Sequence, residues 1–197
     1  MRIIHIVGRQ NNGKTTLIVE LLAELKKRGL RVGTIKHSSH EHELDVPGKD
    51  SFLHRTAGGA PSAVVTQNMM AVYFSRAVSE NPLERLKPVF ANVDLVLIEG
   101  YIDGPGKKIE VWRKVLGTQP VFTERDDIAA VVTDDPLKTH LPVWPRKDVA
   151  NIAERICTIA GIYRRKRINR YGGSCGMTAK PEYPPDSLPL RFPGFRE

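Results

Sequence analysis

Gly8-Arg9-Gln10-Asn11-Asn12-Gly13-Lys14-Thr15 has the spacing G-x-x-x-x-G-K-T. That spacing serves one kind of chemistry, the holding of a nucleoside triphosphate. Backbone N–H groups curl around the phosphates, the lysine ammonium reaches the β- and γ-phosphates, and the Thr15 hydroxyl meets Mg²⁺. Gly8 and Gly13 permit backbone angles and a close approach that side chains would block. The nucleotide-binding candidates are therefore Gly8, Asn11, Asn12, Gly13, Lys14, Thr15 and Thr16.

Such a loop needs a second acidic site, for the metal or the attacking water. Asp94 and Glu99 bracket the apolar run Leu95-Val96-Leu97-Ile98. Side chains at the C-terminal end of a parallel strand point into the ligand crevice, which selects Glu99 over Asp94. Lys14 and Glu99 are the catalytic candidates, and Thr15 and Glu99 the metal candidates. Lys36-His37 ends another apolar run at the same sheet edge and could meet a phosphate or a substrate anion. His37, His40 and His42 lie near Glu41, Glu43 and Asp45, a density that could bind Zn²⁺ or Ni²⁺. Their spacing matches no structural zinc signature, so a solvated loop touching a ligand is the competing reading. Asp50 could cap a short helix, and the Arg55 fork suits an anionic ligand. Asp134, in Thr133-Asp134-Asp135, could accept the N1–H and N2–H of guanine, or merely form a turn. The N-K-x-D base-reading signature is absent, so this site does not separate GTP from ATP.

These residues need elements to position them. Arg2 to Val7 reads as a buried strand, Thr16 to Lys27 as a helix and Arg31 to Lys36 as a strand. Strand, helix and strand so close together make a βαβ unit with a right-handed crossover. Leu17, Leu21, Leu22 and Leu25 recur at helical spacing and should face the sheet. Further on, residues 49–57 read as a short helix. Short strands are expected at 63–66 and 71–74, a helix at 82–90, and strands at 94–99, 109–112 and 128–133. An amphipathic helix should cover 149–159. The expected fold is α/β: a P-loop NTPase-like three-layer arrangement with a mostly parallel central sheet and an additional short β-hairpin.

The 197 residues are 41% hydrophobic and 26% charged, values of a globular chain. No apolar run is long enough to cross a bilayer, and with the first strand beginning at once no signal peptide is expected. Two cysteines, Cys157 and Cys175, make no disulfide framework. A cytoplasmic protein is expected. The net charge of +8 is uneven, with eight Lys/Arg against three acids from Gly161 onward. The chain divides into a nucleotide-binding domain over residues 1–160 and a basic, Gly/Pro-rich tail over residues 161–197. The cluster Arg164 to Arg170 could bind nucleic acid, with salt-dependent affinity, or could simply be a solvated helix end.

Four features in this order resemble the MobB family of P-loop GTP-binding proteins, over roughly residues 1–160. They are Gly8 to Thr16, then Thr34-Ile35-Lys36-His37 with His40, then Gly48-Lys49-Asp50-Ser51 with His54-Arg55 and Ala57-Gly58, and last Asp94 to Tyr101. The third is the most specific. The resemblance implies a homodimer that binds GTP and Mg²⁺, hydrolyses GTP slowly, and assists the molybdopterin guanylyltransferase that makes molybdopterin guanine dinucleotide. It places Gly13 to Thr16 on phosphate and metal, and Glu99 on the metal. Lys36, His37, Asp50, Ser51 and Arg55 would face a second ligand, with molybdopterin itself a candidate. Ala57-Gly58-Gly59-Ala60 departs from the family's A-G-A by an insertion, and the tail falls outside the pattern. Two other readings use the same loop: a GTP-dependent metal-insertion protein working through the histidines, and a small-molecule kinase, which would need a mobile arginine-bearing lid.

Overall fold

Alternation along the strands decides which face of the sheet each residue serves. A computed structural model describes residues 1–77 and 79–163. The basic cluster, Cys175 and the proline-rich tail lie outside the described residues. Strands β1 (Ile3–Val7), β2 (Val32–Lys36), β5 (Leu95–Glu99), β6 (Lys107–Val111), β7 (Ile128–Val132) and β8 (Val143–Trp144) form one six-stranded sheet in the order β2-β5-β1-β6-β7-β8. Every pairing in it is parallel. β3 (Ser62–Val65) and β4 (Met70–Tyr73) form a separate antiparallel hairpin. The α/β expectation holds, hairpin included.

One face is helical. Helices α1 (Lys14–Lys27) and α4 (Val149–Ile159) pack on Ile4, Ile6, Leu95, Leu97, Ile109, Val111, Ala130 and Val132. Leu17, Leu21 and Leu25 of α1 are fully buried, each contributing about 1.5–3 kcal/mol of transfer free energy. Leu22 packs at the margin of this core. α4 starts at Asp148, whose carboxylate accepts the Asn151 N–H at 3.1 Å.

The opposite face is covered mostly without long helices. Over β5 lie Leu83 and Phe90, from helix α3 (Pro82–Leu86) and the turns after it. The expected helix over 82–90 stops at Leu86. Pro88 has no N–H to bond the Glu84 carbonyl, so the ladder breaks there although Lys87 keeps right-handed helical angles. β8 has no counterpart in the sequence reading. A two-residue strand flanked by Pro142 and Pro145 carries no periodicity to detect. Over β1 and β6 lie irregular segments, and buried polar side chains hold them. Lys108 donates to the Gly104 carbonyl at 2.7 Å and pairs with Asp127 at 2.7 Å. Glu110, fully buried, accepts the N–H groups of Val121 at 2.6 Å and Phe122 at 3.0 Å. Burial pushes its carboxyl above the ordinary range, and those two donors oppose the rise.

His5 belongs to the same layer. It is fully buried, its Nε2 donates to the Pro105 carbonyl at 2.8 Å, and its Nδ1 has no hydrogen-bond partner. Burial lowers its pKa below 6.5; nearby Lys108 adds to this, while the backbone of Pro105 and of Tyr101 and the Asp127 carboxylate oppose it. Protonation would place a positive charge in this buried layer, which burial penalises. The unfolded state takes up this proton near pH 6.5, and the folded state only at lower pH. This contribution to stability is therefore intact above about pH 6.5 and is lost as the pH falls from there through the folded value. Thermal midpoints between pH 8 and pH 5 should fall more steeply for the unsubstituted chain than for His5→Gln. Equal slopes would remove His5 as a cause.

Candidate functional site

The C-terminal ends of the parallel strands converge on the loop after β1. Three left-handed residues shape that loop: Gly8 at φ 138°, Asn11 at φ 62° and Gly13 at φ 90°. Asparagine is among the few residues other than glycine that accept this region. At Gly8 space is also decisive, since a Cβ would stand 2.3 Å from the Val111 carbonyl oxygen. The loop is thus laid directly on β6. Gly13 opens α1 with no side-chain cap, and the first turn of α1 carries no acid. The N–H groups of that turn and the positive end of a 14-residue helix face the loop, which suits an anion.

Lys14 Nζ donates to the loop's own carbonyls, Gly8 at 3.0 Å and Arg9 at 2.9 Å. Burial lowers its pKa below the ordinary lysine value, Glu99 opposes that, and Lys36 adds to it. The Thr15 hydroxyl donates to Glu99 Oε1 at 2.8 Å. Lys36 Nζ approaches the same oxygen at 3.7 Å, because β2 and β5 set Lys36 and Glu99 side by side in register. Asp94 lies at the other end of β5, where its carboxylate accepts the Arg31 backbone N–H at 2.8 Å. The choice between the two acids on strand polarity therefore agrees with the geometry.

Two cavities flank the loop. One, of about 790 Å³, brings together Lys14, Thr15, Lys36, His37, Glu99 and Tyr101. In it the His37 and Tyr101 rings stack, with centroids 4.2 Å apart and planes 11° from parallel. The other, of about 770 Å³, lies beyond Gly13 and Thr16 and is bounded by Trp112, Arg113, Asp134 and Arg146. The first has the cations and hydroxyl for phosphates. The second has an apolar wall and the Asp134 carboxylate, as a base would require.

The model of the family described as MobB, molybdopterin guanine dinucleotide synthesis protein B, matches residues 3–134. The chain belongs to the MobB family. Among its relatives, the molybdopterin-guanine dinucleotide biosynthesis adapter protein of Escherichia coli K12 is 34% identical over 151 residues, 72% of this chain and 83% of the relative. The protein of the same description from Haemophilus influenzae Rd is 32% identical over 160 residues, 78% of this chain and 86% of the relative. Among solved structures, Bacillus subtilis MobB aligns with TM-score 0.62 at 24% identity, over 80% of this chain and 97% of that one. A molybdopterin-guanine biosynthesis protein B aligns with TM-score 0.62 at 26% identity, over 79% and 98%.

Against the MobB resemblance, the candidate residues separate into groups. Gly8, Asn11, Gly13, Lys14, Thr15, Thr16, Lys36, His37 and Glu99 all border the phosphate-side cavity. Asn12 is different, since its side chain is almost wholly buried. Its Nδ2 donates to the Arg9 carbonyl at 3.2 Å and its Oδ1 accepts the Arg113 N–H at 2.7 Å. The side chain is spent on shaping the loop. Asp134 borders the second cavity and accepts the Lys147 N–H at 3.3 Å, while Asp135 is bound to the Lys114 N–H at 2.8 Å.

Helix α2 (Asp50–Thr56) stands apart from these cavities. Asp50 is in its first turn and Lys49 is the N-cap, with no side-chain capping bond, so the capping role expected of Asp50 is not taken up. Ser51 donates to Asp45 at 3.0 Å, and Arg55 pairs with Glu43 at 2.7 Å. Arg55 borders a separate cavity of about 360 Å³ with Arg76 and Arg85. Asp50, Ser51 and Arg55 thus do not join Lys36 and His37 in one site. The inserted glycine is absorbed at the end of α2. Gly58, at φ 103°, and Gly59 donate to the Arg55 and His54 carbonyls and close the helix as a Schellman turn.

Among the described residues no three His, Cys, Asp or Glu side chains gather to hold a metal ion, so His37, His40 and His42 form no such centre. No helix among them is long and apolar enough to cross a membrane. Arg113, Trp112 and Arg146 were not among the sequence candidates. The rule that selected Glu99, the C-terminal end of a parallel strand, would have found Arg113 just beyond β6.

Proposed function

We propose that this chain binds GTP with Mg²⁺, hydrolyses it slowly, and acts as an adapter in the making of molybdopterin guanine dinucleotide. The observation that carries the reading is the loop itself, with Lys14 folded onto the carbonyls of Gly8 and Arg9 and Thr15 bonded to Glu99 at 2.8 Å. An incoming polyphosphate gives Lys14 stronger acceptors than those carbonyls. The Thr15 hydroxyl and Glu99 carboxylate are hard oxygen donors, and two protein oxygens completed by phosphate and water are what Mg²⁺ prefers. Bound there, Mg²⁺ would neutralise charge on the β- and γ-phosphates. Glu99 would hold it through the carboxylate or a water and orient the attacking water, and Lys36 beside it would limit the build-up of negative charge.

The guanine preference rests on the guanine dinucleotide named for the relatives; Asp134 in the second cavity is compatible with it but does not separate GTP from ATP. The adapter role rests on relatives that are molybdopterin-guanine dinucleotide biosynthesis adapter proteins, and a nucleotidyltransferase partner on the MobB resemblance of the sequence. Homodimerisation has its support in the hairpin, which exposes Val65, Met69, Met70 and Val72. A lone two-stranded hairpin is marginal in water, and apolar patches of this kind are usually covered. β6 offers no second edge for pairing, because it lies between β1 and β7. Sedimentation at twice the 22.0 kDa mass of the chain is the expected result, and sedimentation at 22.0 kDa would remove the dimer.

Calorimetric titration with GTP and with ATP, each with Mg²⁺, tests the core of the reading. A clear preference for GTP is expected. Equal affinities or an ATP preference would remove the guanine assignment and bring the kinase reading forward.

A further inference from the structure

We infer that Arg113 is a nucleotide-contacting residue, clamping the polyphosphate where it passes from the phosphate-side cavity to the base-side cavity. The inference rests on the nucleotide reading above and adds to it a residue on which that reading does not depend. Arg113 borders both cavities. Any ligand with phosphates at Lys14 and a base near Asp134 must pass it.

The chain around Arg113 is pinned on every side except at the guanidinium. The Arg113 N–H is held by Asn12 Oδ1 at 2.7 Å. Before it, the Trp112 N–H bonds the Val132 carbonyl at 3.1 Å and the indole donates to the Thr118 carbonyl at 2.9 Å. After it, the Lys114 N–H bonds Asp135 at 2.8 Å. Three consecutive residues are fixed through their backbone. Among the described residues, by contrast, the exposed Arg113 guanidinium has no hydrogen-bond or ion-pair partner. Neighbouring arginines do have partners: Arg9 pairs with Glu124 and Arg146 with Glu20, both at 2.6 Å.

A cation pinned by its backbone beside a phosphate loop, with its fork unengaged, is preorganised for bidentate contact with phosphate oxygens. Asn12 makes the arrangement specific. One amide side chain ties the loop, through Arg9, to the backbone of Arg113. The loop and the arginine therefore hold a fixed relation before ligand arrives. Asn12 acts as a positioning residue; of these two, Arg113 alone touches the nucleotide.

The test titrates the full-length chain with GTP and GDP, each with Mg²⁺, followed through Trp112 fluorescence and by calorimetry. The unsubstituted protein is compared with Arg113→Ala, Arg113→Lys and Lys14→Ala, with thermal melts to confirm folding. Arg113→Ala is expected to weaken GTP and GDP alike, by about tenfold to a hundredfold, the loss of a charge-assisted pair of hydrogen bonds. Arg113→Lys should recover part of this, because it restores charge without the planar fork. A folded Arg113→Ala that binds both within twofold of the unsubstituted protein, while Lys14→Ala loses binding, would overturn the assignment of Arg113 and leave the nucleotide reading standing. A loss confined to GTP would put the guanidinium at the γ-phosphate and overturn the clamp between cavities. Failure of the unsubstituted protein to bind either nucleotide would overturn both readings.

Discussion

Lys14→Ala should abolish tight nucleotide binding, lowering affinity for GTP by at least about a hundredfold. The reason lies in what the ammonium does in the loop. It already spans the Gly8 and Arg9 carbonyls at 3.0 and 2.9 Å, so it sits at the centre of the curve where phosphates would lie. It also offsets the polarity of carbonyls turned toward that centre. Alanine removes the positive charge facing the phosphates and leaves the loop without its internal brace. The fold should survive, because the side chain is not part of the hydrophobic core and α1 keeps Leu17, Leu21 and Leu25 against the sheet. Calorimetry with GTP and Mg²⁺ reads the loss directly, and a melt shows that the chain remains folded. Near-normal GTP affinity in this variant would remove the central claim about the loop.

Glu99→Gln should separate hydrolysis from binding. The turnover rate is expected to fall by about a hundredfold or more, while GTP affinity changes only several-fold. Glutamine keeps the shape and can still accept from Thr15, so the loop and the ends of β5 and β2 stay in place. It loses the negative charge that would hold Mg²⁺ and orient water, and it leaves Lys36, 3.7 Å from the carboxylate, facing a neutral amide. Lys36 is then released toward the phosphates, which limits the damage to binding. Single-turnover phosphate release and equilibrium binding, measured on one preparation, decide the matter. Equal losses in both would make Glu99 a ligand-positioning residue.

How much of this was readable before the structure depended on how local the signal is. The phosphate loop, α1 and the polarity argument for Glu99 each follow from a short stretch of residues and a rule about parallel strands, and the structure places them as expected. α4 was legible because Ile152 and Ile156 recur at helical spacing, and both are fully buried. The limits of α3 depended on Pro88, a breaker inside an otherwise helical pattern. β8 had no pattern at all. The position of Arg55 was not legible: its candidacy rested on the fit of a guanidinium to anions, which says nothing of where its helix stands. α2 carries it to the hairpin side. Asn12 shows a second limit. Its type and position suit a ligand contact, yet its partners Arg9 and Arg113 lie within the protein and could not be inferred from composition or spacing.

The two buried charges on β6 bear on how this molecule breathes. Lys108 is bound to carbonyls of residues 104 and 106, and Glu110 to amides of residues 121 and 122. The coils they hold have almost no ladder of their own, so secondary structure alone would rank them among the first parts to open. Anchored to an interior strand, they should instead open only when that strand separates from its neighbours. The amides of Val121 and Phe122 should then exchange with deuterium on the slow timescale of the sheet, not on that of surface turns. Rigidity on this face would come from two side chains in place of a helix. The wall beside the loop would owe its permanence to Lys108 and Glu110, two side chains that line neither cavity.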